Sequence, residues 1–256
     1  MSNIKNAFAN GKAFIPFITC GDPDIETTYN VVIEAVKNGA DLIELGIPFS
    51  DPTAEGPVIQ EANIRALSGG ITTDKVFDLV RKLRETVTIP LVFMTYANVV
   101  FSYGADRFIM TCSEIGIDGL IIPDIPFEEK EEFTPYCEKN DVDLISMIAP
   151  TSEDRIAMIA KKAKGFIYVV SSMGVTGTRS SFSNDLSKIT EKIREVTDVP
   201  CAIGFGISNP EQAKKMAAIS DGAIVGSAII KILAAHGKEA PSYVGEFVKS
   251  MKDAII

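Results

Sequence analysis

The 256-residue chain has no tryptophan, one histidine (His236) and four cysteines, Cys20, Cys112, Cys137 and Cys201, none of them in a CxxC pair. Without clustered Cys and His there is no zinc-ligand spacing and no disulfide framework, and a reducing cytoplasm is the expected location. His236 ends the apolar, helix-like run IIKILAAH. The Cys/His pairing of a thiol nucleophile therefore has little support, and the cysteines read as buried and inert. Long apolar runs are also missing. The first stretch, Ala13 to Cys20, is interrupted by Pro16, so neither a signal peptide nor a spanning helix is predicted. Positive charge is scarce as well: 25 Lys and Arg stand against 34 Asp and Glu, a formal charge of -9, with no run of five or six like charges. Nucleic acid and anionic membranes are gripped through clustered Lys and Arg, so neither is expected as a partner.

The chain does have enough apolar material, 46% of its residues, for one sizeable core. Its length is near the ~250 residues usual for a barrel of alternating strands and helices. Eight short apolar runs recur at 13–19, 41–46, 90–95, 118–123, 142–149, 165–171, 200–206 and 222–227. Helical spacing follows them, as in Tyr29, Val32, Ile33, Val36 and in Leu186, Ile189, Ile193, Val196. Strands that alternate with helices pair in parallel, and continuous apolar strands are buried on both faces. Ser208-Asn-Pro-Glu211 reads as a capping box that opens the helix after the seventh strand. Periodicity alone leaves both a doubly wound sheet and a closed barrel open. The glycines favour the barrel, because they cluster after the last three strands and not after an early one. The expected architecture is a single (β/α)8 TIM barrel domain over residues 1–256, with parallel strands.

Those glycines predict a ligand handle. Gly174-Val-Thr-Gly177, Gly204-Phe-Gly206-Ile-Ser208 and Gly226-Ser227 each free backbone N–H groups, and Ser227 opens a helix-like segment whose N-terminus favours an anion. Any one of them alone reads as an ordinary turn. Three together, at the places where barrels hold phosphate, predict a phosphate site.

In Asp41-Leu-Ile-Glu-Leu-Gly46, Glu44 shares a strand face with Leu42 and Gly46, so outward packing of Ile43 and Leu45 turns Glu44 into the barrel. Desolvation there would raise its pKa towards the range useful for proton transfer. A structural ion pair reads equally well from the strand alone. The following loop, Pro48 to Pro57, adds Asp51 and Glu55 among prolines and a glycine, either as acceptors for a substrate N–H or O–H or as a solvated acidic turn. No lysine lies on any of the eight runs, which argues against a Schiff-base aldolase, and one histidine argues against a His-ligated metal aldolase.

Three stretches now carry a resemblance: Phe14 to Pro23, Glu44 to Gln60 (ELGIPFSDPTAEGPVIQ) and the three glycine segments. Together they resemble the tryptophan synthase alpha subunit family along essentially the whole chain. The resemblance implies retro-aldol cleavage of indole-3-glycerol phosphate to indole and glyceraldehyde 3-phosphate, with Glu44 as the catalytic glutamate. Glu55 falls where the family usually has an aspartate that holds the indole N–H. Gly177, Gly206, Gly226 and Ser227 match the phosphate binders, and Phe17, Met94, Tyr96, Ile121, Ile148, Tyr168, Thr176 and Phe205 match positions at or beside the indole pocket. The family works as an αββα complex. Asp51 and Pro52 are expected to face the beta subunit, which carries the pyridoxal phosphate, while this chain holds no cofactor. Thr176 to Asp185 is expected to close over the substrate. Two rivals share these residues: a stand-alone indole-3-glycerol phosphate lyase, and a non-catalytic barrel that binds a phosphorylated ligand.

Overall fold

The computed structural model describes residues 2–170, 179–204 and 206–256, with the backbone alone for 179–185. Its strands are β1 (Ala13–Thr19), β2 (Ile43–Gly46), β3 (Leu91–Met94), β4 (Gly119–Ile121), β5 (Asp143–Leu144), β6 (Ser146–Ile148), β7 (Ile167–Val170), β8 (Cys201–Gly204) and β9 (Gly222–Val225). All neighbours pair in parallel, in the order β5-β4-β3-β2-β1-β9-β8-β7-β6. The two ends of this order, β5 and β6, are separated in the chain only by Ile145. They are halves of one strand, so the sheet closes into the expected (β/α)8 barrel. The fifth apolar run differs from expectation in that break. Its first half pairs with β4 and its second with β7, and Ile145 donates its N–H to Leu120 O at 2.9 Å where the strand passes from one neighbour to the other. Barrel stagger gives a short strand this choice, since it cannot run level with both neighbours over its length.

The pleat sorts the core into two layers. Ile15, Leu42, Val92, Ile121, Phe166, Tyr168, Ala202 and Ile224 fill the barrel interior, where the short 3₁₀ turn Ile4–Phe8 pushes Ile4 into one end as a plug. Ile43, Leu45, Leu91, Phe93 and Leu120 point outward against the helices. Helix Ile25–Lys37 starts at Asp24, whose carboxylate accepts the Thr27 N–H at 2.7 Å. The helix after β8, Pro210–Ile219, is capped one residue later than expected. Asn209 accepts the Gln212 N–H at 3.0 Å, while the Gln212 side chain reaches back to the Ser208 N–H at 2.8 Å. The reciprocal geometry of a capping box is present, but shifted by one, because asparagine caps as well as serine and Pro210 fits the first helical position.

At the N-terminal ends of the strands one device recurs three times. Asp41, just before β2, gives its N–H to Phe14 O and takes the Phe14 N–H on its carboxylate at 2.7 Å. Asp118, before β4, makes the same reciprocal pair with Leu91, and Asp221, before β9, with Cys201. Each carboxylate also meets a cation from a helix: Lys252, Arg84 and Arg194 respectively. These clasps lock neighbouring strand starts in register and leave the carboxylates fully partnered.

Candidate active site

The opposite end of the barrel is built differently. Glu44 stands on β2 level with Phe17 of β1 and Val92 of β3, facing inward as the alternation requires. It is 1% exposed, and neither of its carboxylate oxygens has a hydrogen-bond partner. Among the described residues no cation pairs with it. Burial, and then the charge of Glu55, push its pKa up to about 8. A carboxyl group in this state carries a proton at neutral pH and can release it to a substrate atom. Two more buried hydroxyls at this end, Thr19 Oγ1 and Thr95 Oγ1, also lack partners.

Two aromatic rings shape the space around Glu44, and glycines make room for them. A Cβ on Gly46 would lie 2.6 Å from the Phe17 ring, and one on Gly204 would lie 2.5 Å from the Tyr168 hydroxyl. Tyr168 is close enough to Glu44 for that charge, after burial, to raise the phenol's pKa. Met94 and Ile121 complete the inward surface on β3 and β4. Ile148 does not belong to it. On β6, Met147 sits level with Tyr168 and packs in the interior, whereas Ile148 sits level with Val169 and packs outward with Ile156, Ile159 and Ile203.

The loop after β2 brings in the second carboxylate. Its path is fixed at several points: the Phe49 N–H reaches Asn63 Oδ1 at 3.3 Å, the Ala54 N–H reaches the Tyr96 hydroxyl at 3.0 Å, and Gln60 Nε2 donates to Glu55 O at 2.8 Å. The Phe49 and Tyr96 rings pack 5.2 Å apart. Glu55 Oε2 accepts from Asn63 Nδ2 at 2.7 Å. Burial raises the Glu55 pKa to about 7, and the Asn63 hydrogen bond opposes that rise. Asp51 and Pro52 lie at the outer edge of the same loop, with Asp51 exposed. Helix Pro57–Ser68 begins directly after it and is tied to the loop after β1 by a paired contact, Arg65 Nε and Nη2 each 2.8 Å from an oxygen of the buried Asp22. Asn63 and Arg65 carry no motif that sequence reading would single out, and Asp22 lies in the Phe14 to Pro23 stretch without a role assigned to it. Their roles depend on which loops the helix meets.

Gly206 has φ 76°, a left-handed conformation that favours glycine, in the turn after β8. Gly226 caps helix Ser227–His236, so Ser227 and Ala228 supply its first N–H groups, which helix geometry leaves without intrahelical partners. Both turns open on the Glu44 end of the barrel, with Gly226 against the Phe17 ring. Thr176, Gly177 and Phe205, and the glycines of Gly174 to Gly177, lie outside the described residues; of the expected closing segment, Thr176 to Asp185, only the backbone from Arg179 is described. Among the described residues no group of three or more His, Cys, Asp or Glu is placed to hold a metal ion, and no helix is long and apolar enough to cross a membrane.

Comparison with known proteins gives this arrangement a context. The family model described as "Tryptophan synthase alpha chain" matches residues 3–255. The tryptophan synthase alpha chain of Lacticaseibacillus casei is 49% identical, over 100% of this chain and 96% of that protein. Among solved structures, the tryptophan synthase subunit alpha of Legionella pneumophila superposes with a TM-score of 0.90 at 36% identity, covering 100% of this chain and 98% of that one. A chain of the tryptophan synthase complex from Pyrococcus furiosus superposes with a TM-score of 0.85 at 31% identity, over 94% and 98% of the two chains.

Proposed function

Because the chain belongs to the tryptophan synthase alpha chain family, we propose that Glu44 and Glu55 are the two carboxyl groups of its lyase reaction. The reaction splits indole-3-glycerol phosphate into indole and glyceraldehyde 3-phosphate, as a step of tryptophan biosynthesis. The observation that carries the assignment is Glu44: a carboxyl group buried at the catalytic end of a barrel, with no partner on either oxygen. An unpartnered buried polar group costs stability, and such groups persist where a ligand supplies the missing partner.

In this reading protonated Glu44 gives its proton to indole C3, which turns the ring into an electron sink with positive character at the ring nitrogen. Glu55, ionised, accepts the hydrogen bond from that N–H and stabilises the charge. Glu44, now a carboxylate, takes the proton of the glycerol hydroxyl next to C3. The carbon–carbon bond breaks, its electron pair returns to the ring, the alcohol carbon becomes the aldehyde, and Glu44 is protonated again. The whole reaction balances on one proton and one carboxyl group, with no cofactor needed from this chain. Phe17, Met94, Tyr96, Ile121, Met147 and Tyr168 enclose the indole, with Met147 taking the place expected of Ile148. Gly206, Gly226 and Ser227 hold the phosphate on backbone N–H groups; Gly177, expected to join them, and Thr176 and Phe205, expected at or beside the indole pocket, lie outside the described residues.

The partner is the tryptophan synthase beta subunit, the arrangement being an αββα heterotetramer. Asp51 and Pro52, on the exposed edge of the loop that carries Glu55, are its contact in this reading, and pyridoxal phosphate belongs to that subunit. The whole chain, residues 1–256, acts as one barrel domain. Four free, buried thiols fit a cytoplasmic location. The test is turnover of indole-3-glycerol phosphate with serine, with and without the beta subunit. Tryptophan formation and strong stimulation by the partner are expected. Unstimulated release of free indole would favour a stand-alone lyase, and no turnover in either case would leave only a phosphate-ligand-binding barrel.

A further inference from the structure

Asn63 is a buried side chain that hydrogen-bonds to both ends of the loop between β2 and helix Pro57–Ser68. Its amide is fully used. Oδ1 accepts from the Phe49 N–H at the start of the loop, and Nδ2 donates both to Glu55 Oε2 at the end of the loop and to Ile59 O one turn back, at 2.7 and 3.1 Å. The helix that carries it cannot drift, since Arg65 clamps it to buried Asp22 with two 2.8 Å contacts. Asn63 engages Oε2, and the charge of the same carboxylate is near enough to act on Glu44 and Tyr96.

Glutamate at 55 gives this arrangement a purpose. Its long side chain has several rotatable bonds, and each must be fixed before the carboxylate can meet a ligand at hydrogen-bond length. A backbone-anchored amide that binds one oxygen fixes it. We propose that Asn63 is a positioning residue for the cleavage, holding Oε2 of Glu55 so that Oε1 is aimed at the indole N–H while the same amide sets the path of the loop. The proposal rests on the reading of Glu55 given above. Asn63 itself touches no reacting atom.

A double-mutant cycle with the saturating beta subunit tests it, measured as kcat and KM for indole-3-glycerol phosphate over a pH series. Asn63→Ala should lower kcat/KM by ~10-fold in the wild-type background, mostly through kcat, the pattern of a contact that matters in the transition state. In the Glu55→Ala background the same change should cost less than about twofold, because the group it positions is gone. Asn63→Asp keeps the shape but puts a carboxylate against Oε2. It should move the acidic limb of kcat/KM up by about one pH unit, since a tenfold change in proton affinity is one unit. Should Asn63→Ala not fold, the Asn63→Asp profile decides alone. Equal costs of Asn63→Ala in the two backgrounds, or an unmoved acidic limb in Asn63→Asp, would overturn the proposal while leaving Glu55 in its role. Full activity of Glu55→Ala by itself would instead remove the reading of Glu55, and the positioning role with it.

Discussion

The two ends of the barrel treat buried carboxylates in opposite ways. At the end where the strands begin, Asp118 accepts the N–H groups of Asn3 and Leu91 and pairs with Arg84 at 2.8 Å, while Asp41 and Asp221 are partnered in the same manner. At the end where the strands finish, Glu44 is buried like Asp118 and, among the described residues, neither of its oxygens has a hydrogen-bond partner. A buried polar group without hydrogen bonds costs stability, so the partnered carboxylates contribute stability and Glu44, in the role proposed for it, gives some up. The same residue class therefore means different things at the two ends. Between Asp118 and Glu44, both buried, the number of partners is what differs.

Exchanging residues at each end should break the comparison in opposite senses. Glu44→Gln keeps the shape and removes the proton, and cleavage should fall by ~10²- to 10⁴-fold, the span of a lost general acid/base. Its stability should not fall. The sign follows from linkage: the folded-state pKa of Glu44 is raised from 4.5 to about 8, so its contribution is present below pH 4.5 and is lost as pH rises to about 8. Urea unfolding at pH 5 and at pH 8 should show the Gln variant gaining on wild type as pH rises, and a variant less stable than wild type at pH 8 would contradict the contrast. Asp118→Ala should do the reverse, leaving kcat nearly unchanged but costing about 3 kcal/mol, because Arg84 and two backbone N–H groups lose their acceptor. Calorimetry should show a Tm lower by roughly 6–12 °C; substantial loss of kcat in the folded variant would erase the division of labour.

At the catalytic end the proton inventory should be readable in the pH profile. Ionised Glu55, with a pKa of about 7, and protonated Glu44, at about 8, predict a bell-shaped kcat/KM with its maximum between those values. Glu55→Gln removes the charge that helps hold Glu44 up, so the alkaline limb should move down. A flat profile from pH 6 to 9 would detach both groups from the reaction. The smallest effect is expected at the solvent-facing clasp: Asp221→Ala loses a half-exposed partner, Arg194, and one backbone hydrogen bond, about 1 kcal/mol by urea unfolding.

Much of this was legible in the sequence because a strand's period of two ties each side chain to a face. Leu42, Glu44 and Gly46 alternate with outward-facing Ile43 and Leu45, and the structure turns Glu44 inward as that pattern requires. The rule gives no guidance in the fifth run, 142–149, where the polar residues Asp143 and Ser146 fall on opposite phases of the alternation. The break at Ile145 also changes which neighbour the strand follows. The resemblance implies Ile148 at or beside the pocket, and in the structure it packs outward next to inward-facing Met147. The cap at Asn209 shows a milder form of the same problem, since two adjacent good capping residues leave the start of a helix open by one position. Asn63, the Asp22–Arg65 contact and the three strand-start clasps were illegible for another reason. Each joins residues whose meeting depends on the closed barrel, with Asp22 and Arg65 lying 43 positions apart in the chain.

The close approach of Tyr168 to Gly204, and of Phe17 to Gly46, has a consequence for how this pocket can change over time. Each ring occupies the volume that a side chain on the facing strand would need. The four positions behave as two shared allotments of space, so a larger residue at 204 forces the Tyr168 ring into the substrate's room unless residue 168 shrinks in the same lineage. Substitutions at these sites should therefore be accepted in pairs, and a random walk through sequence space would find the second change beneficial only after the first had done its damage.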